Sequence, residues 1–256
     1  MKKYAIGVDV GGSGIKAAPV DLRTGEFADE RYRIPTPENA SPAEIAAIIK
    51  ELVAHFNPKK KTPVGVSFPA PILKGVVPFI ANLSQEWAGI NAHELLASTL
   101  ERPVTVINDA DAAGYGEVRY GAAKGTQGTV LVLTLGTGIG SALVSHGHLV
   151  PNTEMGHLLL PNGMKAEHYA SSGVREKEEL SFEQWAQRLQ LCFDTYEQLF
   201  SPDLFIVGGG VSKKHKKFLP LIHTRARIIP AQLRNAAGIV GAASLAWEAV
   251  NDPSQA

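Results

Sequence analysis

The sequence predicts an α/β chain of two similar lobes facing a shared phosphate site, and three stretches predict it. Tyr4-Ala-Ile-Gly-Val-Asp9 is an apolar run that ends at Asp9, turns through Gly11, Gly12, Ser13 and Gly14, and returns through Lys16 to Val20. Thr129-Val-Leu-Val-Leu-Thr134 repeats that pattern, with Gly136, Thr137 and Gly138 in its turn and a return strand to Val144. A third small-residue turn, Gly208-Gly209-Gly210, follows the strand-like Leu204-Phe-Ile-Val207. The repeat is one of pattern, with little residue identity. Glycine turns at strand ends let backbone N–H groups converge on an anion such as phosphate. The first stretch alone reads equally well as an ordinary glycine hairpin. It is not a Walker loop, which needs a helix after the glycines and Gly-Lys-Ser/Thr at its end. Asp9, at the strand end, could hold a hydrated cation.

Composition narrows the class. A chain of 256 residues can form one large or two small domains with proper cores. Lys plus Arg and Asp plus Glu both number 25, so no global field attracts nucleic acid. A single cysteine, Cys192, excludes an internal disulfide and any Cys-rich metal cluster. Met1-Lys-Lys is basic, but the apolar run behind it is short and broken by Asp9, unlike a signal peptide. No stretch approaches the length of a membrane span. The expectation is a soluble cytoplasmic protein without nucleic-acid or membrane partners.

In chain order, Arg31-Tyr-Arg-Ile-Pro35 reads as an edge strand ending in a Pro-rich turn. Ser41-Pro42-Ala43-Glu44 is a capping box with Pro at the first helical position, opening a helix whose stripe is Ile45, Ile48, Ile49, Leu52 and Val53. It ends near Asn57-Pro58, and Lys59-Lys60-Lys61 reads as a solvated loop. Residues 63–68 form a buried-type strand stopped by Pro69-Ala70-Pro71, and residues 73–76 a hairpin. Asn82 follows, readable as a turn residue. Asn91, with Glu94 three residues later, caps a helix over 92–100. Pro103-Val-Thr-Val-Ile107 is a strand that delivers Asn108-Asp109 onto the start of a helix. Asp at that position can be a cap; two polar side chains at a strand-to-helix junction can equally form a ligand site.

Glu154 and His157, close in sequence, could bind hydroxyls or form one surface salt bridge. Glu167 lies in a loop-like stretch before Ala170-Ser171-Ser172. Ser181-Phe-Glu-Gln184 caps a long helix with a core stripe of Trp185, Leu189, Cys192, Phe193, Tyr196, Leu199 and Phe200. Lys213, Lys214, Lys216 and Lys217 follow the third glycine turn, either as a solvated face or as an anion track. Arg227-Ile-Ile-Pro230 is another strand, residues 238–250 form an Ala-rich helix, and the tail after Asp252 is expected to fray.

Taken together, Asp9-Val-Gly-Gly-Ser-Gly-Ile-Lys16, Asn108-Asp-Ala-Asp-Ala-Ala113, Leu135-Gly-Thr-Gly-Ile-Gly140 and Glu154-Met-Gly-His157 resemble the ROK family of sugar kinases. Residues 33–37, 150–154, 201–212 and 230–235 resemble, more closely, its polyphosphate-using glucokinase branch. The likeness spans nearly the whole chain. It implies the actin-like, hexokinase-type duplicated fold: a small lobe over 1–108 and a large lobe over 109–256, whose final helix can pack back on the small lobe. It places glucose in the cleft between them. It also implies that Asp109 is the catalytic base and that Asn82, Asn108, Glu154, His157 and Glu167 are sugar ligands alongside it. Asp9, Gly11, Gly12, Ser13, Gly14, Lys16, Thr134, Gly136, Thr137, Gly138, Gly208, Gly209, Gly210 and the four lysines would bind phosphate, and Asp9 would hold Mg2+ through water.

Most of the family carries a zinc site made by the motif histidine and a Cys-rich loop. No cysteine lies between His157 and Glu167, so no zinc is expected, as in the polyphosphate branch. Pro69-Ala70-Pro71 stands where the family has Pro-Gly, so the turn beside the sugar is expected to differ. The implied reaction transfers a phosphoryl group from inorganic polyphosphate, and from ATP as well, to the 6-hydroxyl of glucose, in a homodimer. The rivals are an ATP-dependent ROK hexokinase, a polyphosphate hydrolase, and a ROK-type regulator. The last is disfavoured because the first strand begins at Tyr4 and leaves no room before it for a DNA-binding module.

Overall fold

The structure, a computed structural model, describes residues 3–80 and 83–251. The expectations at Asn82 and for the tail after Asp252 fall outside the described residues. The chain divides into two compact units. One holds residues up to Gly116 and those from Asn235 onward, the other Glu117–Arg234. The division runs after Gly116 rather than at 108/109, where the sequence has its strand-to-helix junction, and the final helix counts with the first unit.

In the first unit, β1 (Tyr4–Gly11) and β2 (Gly14–Asp21) form an antiparallel pair whose turn is only Gly12-Ser13. Gly11 and Gly14, expected in the loop, face each other as the last ladder pair. β3 (Glu26–Phe27) and β4 (Tyr32–Ile34) both pair with β2. On the other side of β1, β5 (Val64–Phe68) and β6 (Val104–Asn108) run parallel to it, giving the order β3-β2-β1-β5-β6. α1 (Pro42–His55) begins at the Ser41 capping box, with both reciprocal bonds to Glu44 formed. It and α2 (Ala92–Leu100) cover one face, where Ile45, Ile49 and Leu52 meet Val8, Val66 and the Phe68–Trp87 pair.

α3 (Asp109–Tyr120) and α7 (Ala237–Asn251) come next. α7 packs against β1 and β5, and glycines permit the contact. A Cβ on Gly7 would lie 2.0 Å from the Ile239 carbonyl oxygen, and one on Gly65 1.8 Å from that of Ala242. A Cβ on Gly241 would lie 1.7 Å from the Ala112 oxygen, so α7 touches α3 backbone to backbone. The buried Tyr115 hydroxyl donates to buried Glu248 across the same contact.

The second unit repeats the plan. β7 (Thr129–Leu135) and β8 (Ile139–Ser145) are antiparallel, β9 (His148–Val150) adds outside β8, and β10 (Leu204–Gly208) and β11 (Arg227–Pro230) lie parallel on the other side. The order β9-β8-β7-β10-β11 matches β3-β2-β1-β5-β6 strand for strand and sense for sense. The sequence repeat is therefore a duplication of topology.

α4 (Ala166–Ala170), α5 (Ser172–Lys177) and α6 (Phe182–Phe200) complete this unit. α6 starts at the Ser181–Gln184 capping box and buries Trp185, Leu189, Cys192, Phe193 and Tyr196. Leu199 departs from the expected stripe and is 58% exposed. It sits in the last turn of α6, where only Phe200 still meets the core. Burial pushes the Cys192 thiol up to about 12, so it packs as an inert apolar group. Glu117 is buried, and its carboxylate accepts from the N–H groups of Ala122, Gln232 and Leu233 at 2.7, 3.1 and 2.7 Å. That satisfies a buried charge with charge-assisted bonds.

Candidate active site

The first unit brings together Asp9, Lys16 and Ser67 because the register puts them in one row across β2, β1 and β5. Asp9 accepts from the Ser67 hydroxyl at 3.3 Å and pairs with the Lys16 ammonium at 3.5 Å. Gly238, in the first turn of α7, leaves this corner open: a Cβ there would stand 3.3 Å from the Asp9 carboxylate. Ser67 was not singled out by the sequence reading. Only the parallel register of β5 on β1 makes it Asp9's neighbour.

At the end of β6, Asn108 rather than Asp109 caps α3. The buried Asn108 Oδ1 accepts from Ala110 N–H at 2.9 Å and Asp111 N–H at 3.1 Å. Its amide nitrogen is the group it can offer a ligand. Asp109 is the first helical residue, is exposed, and accepts from Ala110 N–H at 2.8 Å through Oδ1.

In the second unit the remaining two glycine turns are neighbours, since Gly208 is the register partner of Thr134. Gly136 N–H closes the β7–β8 turn on the Gly138 oxygen at 3.0 Å, and Gly173 N–H donates to the Gly136 oxygen at 2.9 Å. Gly209 has φ 83°, and a Cβ on it would lie 2.2 Å from the Leu135 oxygen, so no other residue fits the third turn. Gly210 opens a 3-10 segment, Gly210–Lys217, that carries Lys213, Lys214, Lys216 and Lys217, all exposed. Lys217 holds its ammonium 5.5 Å from the Phe182 ring centroid.

Glu154, His157 and Glu167 cluster beside the second turn. His157 Nε2 lies 3.2 Å from a Glu167 oxygen, and a Cβ on Gly138 would meet the other Glu167 oxygen at 2.7 Å. Glu167 is in α4, not in a loop as its sequence suggested. That five-residue helix has no side-chain cap and no stripe for periodicity to detect. It is held from behind, where the buried Trp185 indole donates to the Ala170 carbonyl at 2.9 Å. The 3-10 turn Met155–His157 is likewise held by the buried Tyr196 hydroxyl, which donates to the Met155 carbonyl at 3.0 Å. Two carboxylates and an imidazole, two of them half-buried, can accept from and donate to adjacent sugar hydroxyls.

Burial pushes the Glu154 carboxyl above its ordinary range; His157 opposes the shift and Glu167 adds to it. A carboxyl raised in the folded state favours folding below its unfolded pKa. That contribution is lost as pH rises through the folded value. Glu154→Gln is therefore expected to melt no lower than the wild type at pH 7.5, any advantage vanishing near pH ~4. Its KM for glucose should rise about tenfold or more, since a charged hydrogen bond is lost. Melting curves against pH and glucose kinetics check both; a variant destabilised only at neutral pH would contradict the assignment.

Among the described residues no three His, Cys, Asp or Glu side chains gather as a metal cluster. The donor set at Asp9, a carboxylate beside a hydroxyl, suits a hard cation that keeps most of its water and shares the donor's phosphates.

Residues 5–171 match the ROK family. Over 243 residues the chain is 45% identical to the polyphosphate glucokinase of Mycobacterium tuberculosis, covering 94% of this chain and 91% of that protein. Among solved structures, the inorganic polyphosphate/ATP-glucomannokinase of Arthrobacter sp. strain KM is 50% identical with TM-score 0.86, covering 93% of this chain and 96% of that one. The Streptomyces griseus ROK family glucokinase, solved with glucose and AMPPNP, is 26% identical with TM-score 0.77, covering 95% and 99%. Strand for strand, the duplicated sheets are the actin-like fold of these sugar kinases, and the chain belongs to the ROK family.

Proposed function

We propose that the chain is a kinase that transfers a phosphoryl group from inorganic polyphosphate to the 6-hydroxyl of glucose, with ATP as a second donor. The kinship over nearly the whole chain with a protein named polyphosphate glucokinase carries this reading. In it, Asp109 takes the proton from the attacking hydroxyl. Glu154, His157, Glu167 and the Asn108 amide orient the ring hydroxyls. Asn82, outside the described residues, joins them on the resemblance alone.

The glycine turns at residues 11–14, 136–138 and 208–210 hold the donor through backbone N–H groups, with Ser13, Thr134, Thr137 and Lys16 beside them. A divalent metal, Mg2+ in this reading, neutralises charge on the donor phosphates when bound. Asp9 would hold it through water. The enzyme works in the cytoplasm as a homodimer. Among the described residues no helix is long and apolar enough to cross a membrane.

Purified protein with Mg2+ should form hexose phosphate only when glucose and a phosphoryl donor are both present, and polyphosphate should serve as donor without ATP. Orthophosphate release from polyphosphate without sugar, at the same rate, would instead mark a hydrolase. Zinc has no part in the reading. A zinc-selective chelator should leave the rate unchanged, and one zinc per chain lost together with activity would contradict it.

A further inference from the structure

We propose that Arg33 is a donor-binding residue that holds a phosphate of the polyphosphate chain beyond the one being transferred. The proposal rests on the polyphosphate reading above and concerns β4, which that reading does not use.

The strand alternation sets where Arg33 points. Ile34 packs on the core of the first unit, and Tyr32 stacks on His55 of α1 at 4.0 Å. Arg33 between them belongs to the opposite face. In the ladder it is the partner of Lys16, and Lys16 is the partner of Asp9, which pairs with Ser67. One row across four strands therefore reads Arg33, Lys16, Asp9, Ser67 on one face.

Gly14 makes room for the Arg33 side chain. A Cβ on Gly14 would lie 2.4 Å from the Arg33 Nε, so the guanidinium fills the space a side chain there would take. Its Nη2 donates to the Ser13 carbonyl at 2.6 Å, and three residues on Thr36 donates its hydroxyl to the Gly11 carbonyl at 2.6 Å. Two carbonyl oxygens of the first glycine turn are thus tied back, one by Arg33 of β4 and one by Thr36 just after that strand. An anion at the turn then meets fewer exposed oxygens.

The charge balance also points to an anion. Two cations stand directly opposite each other in the ladder, an unfavourable pairing. The one carboxylate in the row, Asp9, is shared with Lys16. Arg33 is exposed and has no carboxylate partner among the described residues. A guanidinium with one fork occupied keeps other N–H donors for a phosphate. Arg33 lies two strand spacings from β1, about 10 Å from the Asp9 position. It therefore serves a phosphate farther along the donor, which a long polyphosphate supplies more readily than a nucleotide.

The test is steady-state kinetics of Arg33→Gln and Arg33→Lys with long-chain polyphosphate, tripolyphosphate and ATP. Gln removes the charge, and because its amide ends where the Arg Nε stands, short of the Nη2 that bonds the Ser13 carbonyl, it releases the latch as well. The expected result for Arg33→Gln is a rise of about tenfold in KM for long polyphosphate, with ATP and glucose constants changed less than about twofold. The slope of log KM against log salt should weaken by about one counterion. Arg33→Lys should recover part of the affinity.

Unchanged polyphosphate kinetics in Arg33→Gln would overturn the proposal. So would equal losses for polyphosphate and ATP, the outcome of a purely structural latch. A wild-type protein that phosphorylates glucose from ATP but not from polyphosphate would overturn the donor reading and this proposal with it. Normal wild-type polyphosphate rates with an indifferent variant would overturn the proposal alone.

Discussion

Replacing Asp109 by Asn is expected to lower kcat by about two to four orders of magnitude while the affinity for glucose changes little. The structure makes this a clean substitution. Asn108, not Asp109, caps α3, so helix initiation does not depend on the carboxylate. The bond from Ala110 N–H to Asp109 Oδ1 can be accepted equally by an amide oxygen. An amide in place of the carboxylate cannot take a proton. Rapid kinetics with polyphosphate and ATP, beside glucose binding measured by calorimetry, separates chemistry from binding. Near-normal turnover in a folded Asp109→Asn protein would sink the assignment.

The second large effect concerns the donor track. Replacing Lys213, Lys214, Lys216 and Lys217 together with Ser is expected to raise the KM for long polyphosphate at least about tenfold, at roughly half a kcal/mol per contact. The effect should be largest at low salt and shrink as salt rises, because a polyanion is held by summed attraction and counterion release, and the variant releases fewer counterions. Non-helical backbone at Lys214, with φ −104° and ψ 17°, separates Lys213 from Lys216 and Lys217, so the four lysines do not follow one regular helical face. Lys217 is also committed in part to the Phe182 ring. Lys217 should therefore carry less of the loss than the other three, and the constant for glucose should hardly move. An unchanged polyphosphate constant would mean that the run is only a solvated face.

Much of the fold was legible because it rests on local signals. The capping boxes at Ser41 and Ser181, the stripe of α1 and the two strand–glycine–strand units are each read within about twenty residues. What the sequence hid depends on register and on crossing. Nothing local says that Gly7 and Gly65 are glycines because α7 crosses them, or that Ser67 stands beside Asp9. The β3 and β9 strands are too short for alternation to show. The site followed the same rule. Asn108 and Asp109 were found at their junction, but which of them caps the helix needed coordinates. Glu154 and His157 were visible as neighbours in sequence. Glu167 joins them only through α4, a helix fixed by Trp185 from a distant segment.

The most direct test of the central claim is phosphorus-31 NMR of the purified protein with glucose, Mg2+ and long-chain polyphosphate, free of nucleotide. A glucose 6-phosphate monoester resonance should grow as the internal polyphosphate signal falls, one phosphoryl group per sugar, with orthophosphate staying at its starting level. Orthophosphate accumulating in place of the sugar ester, or no change until ATP is added, would contradict it.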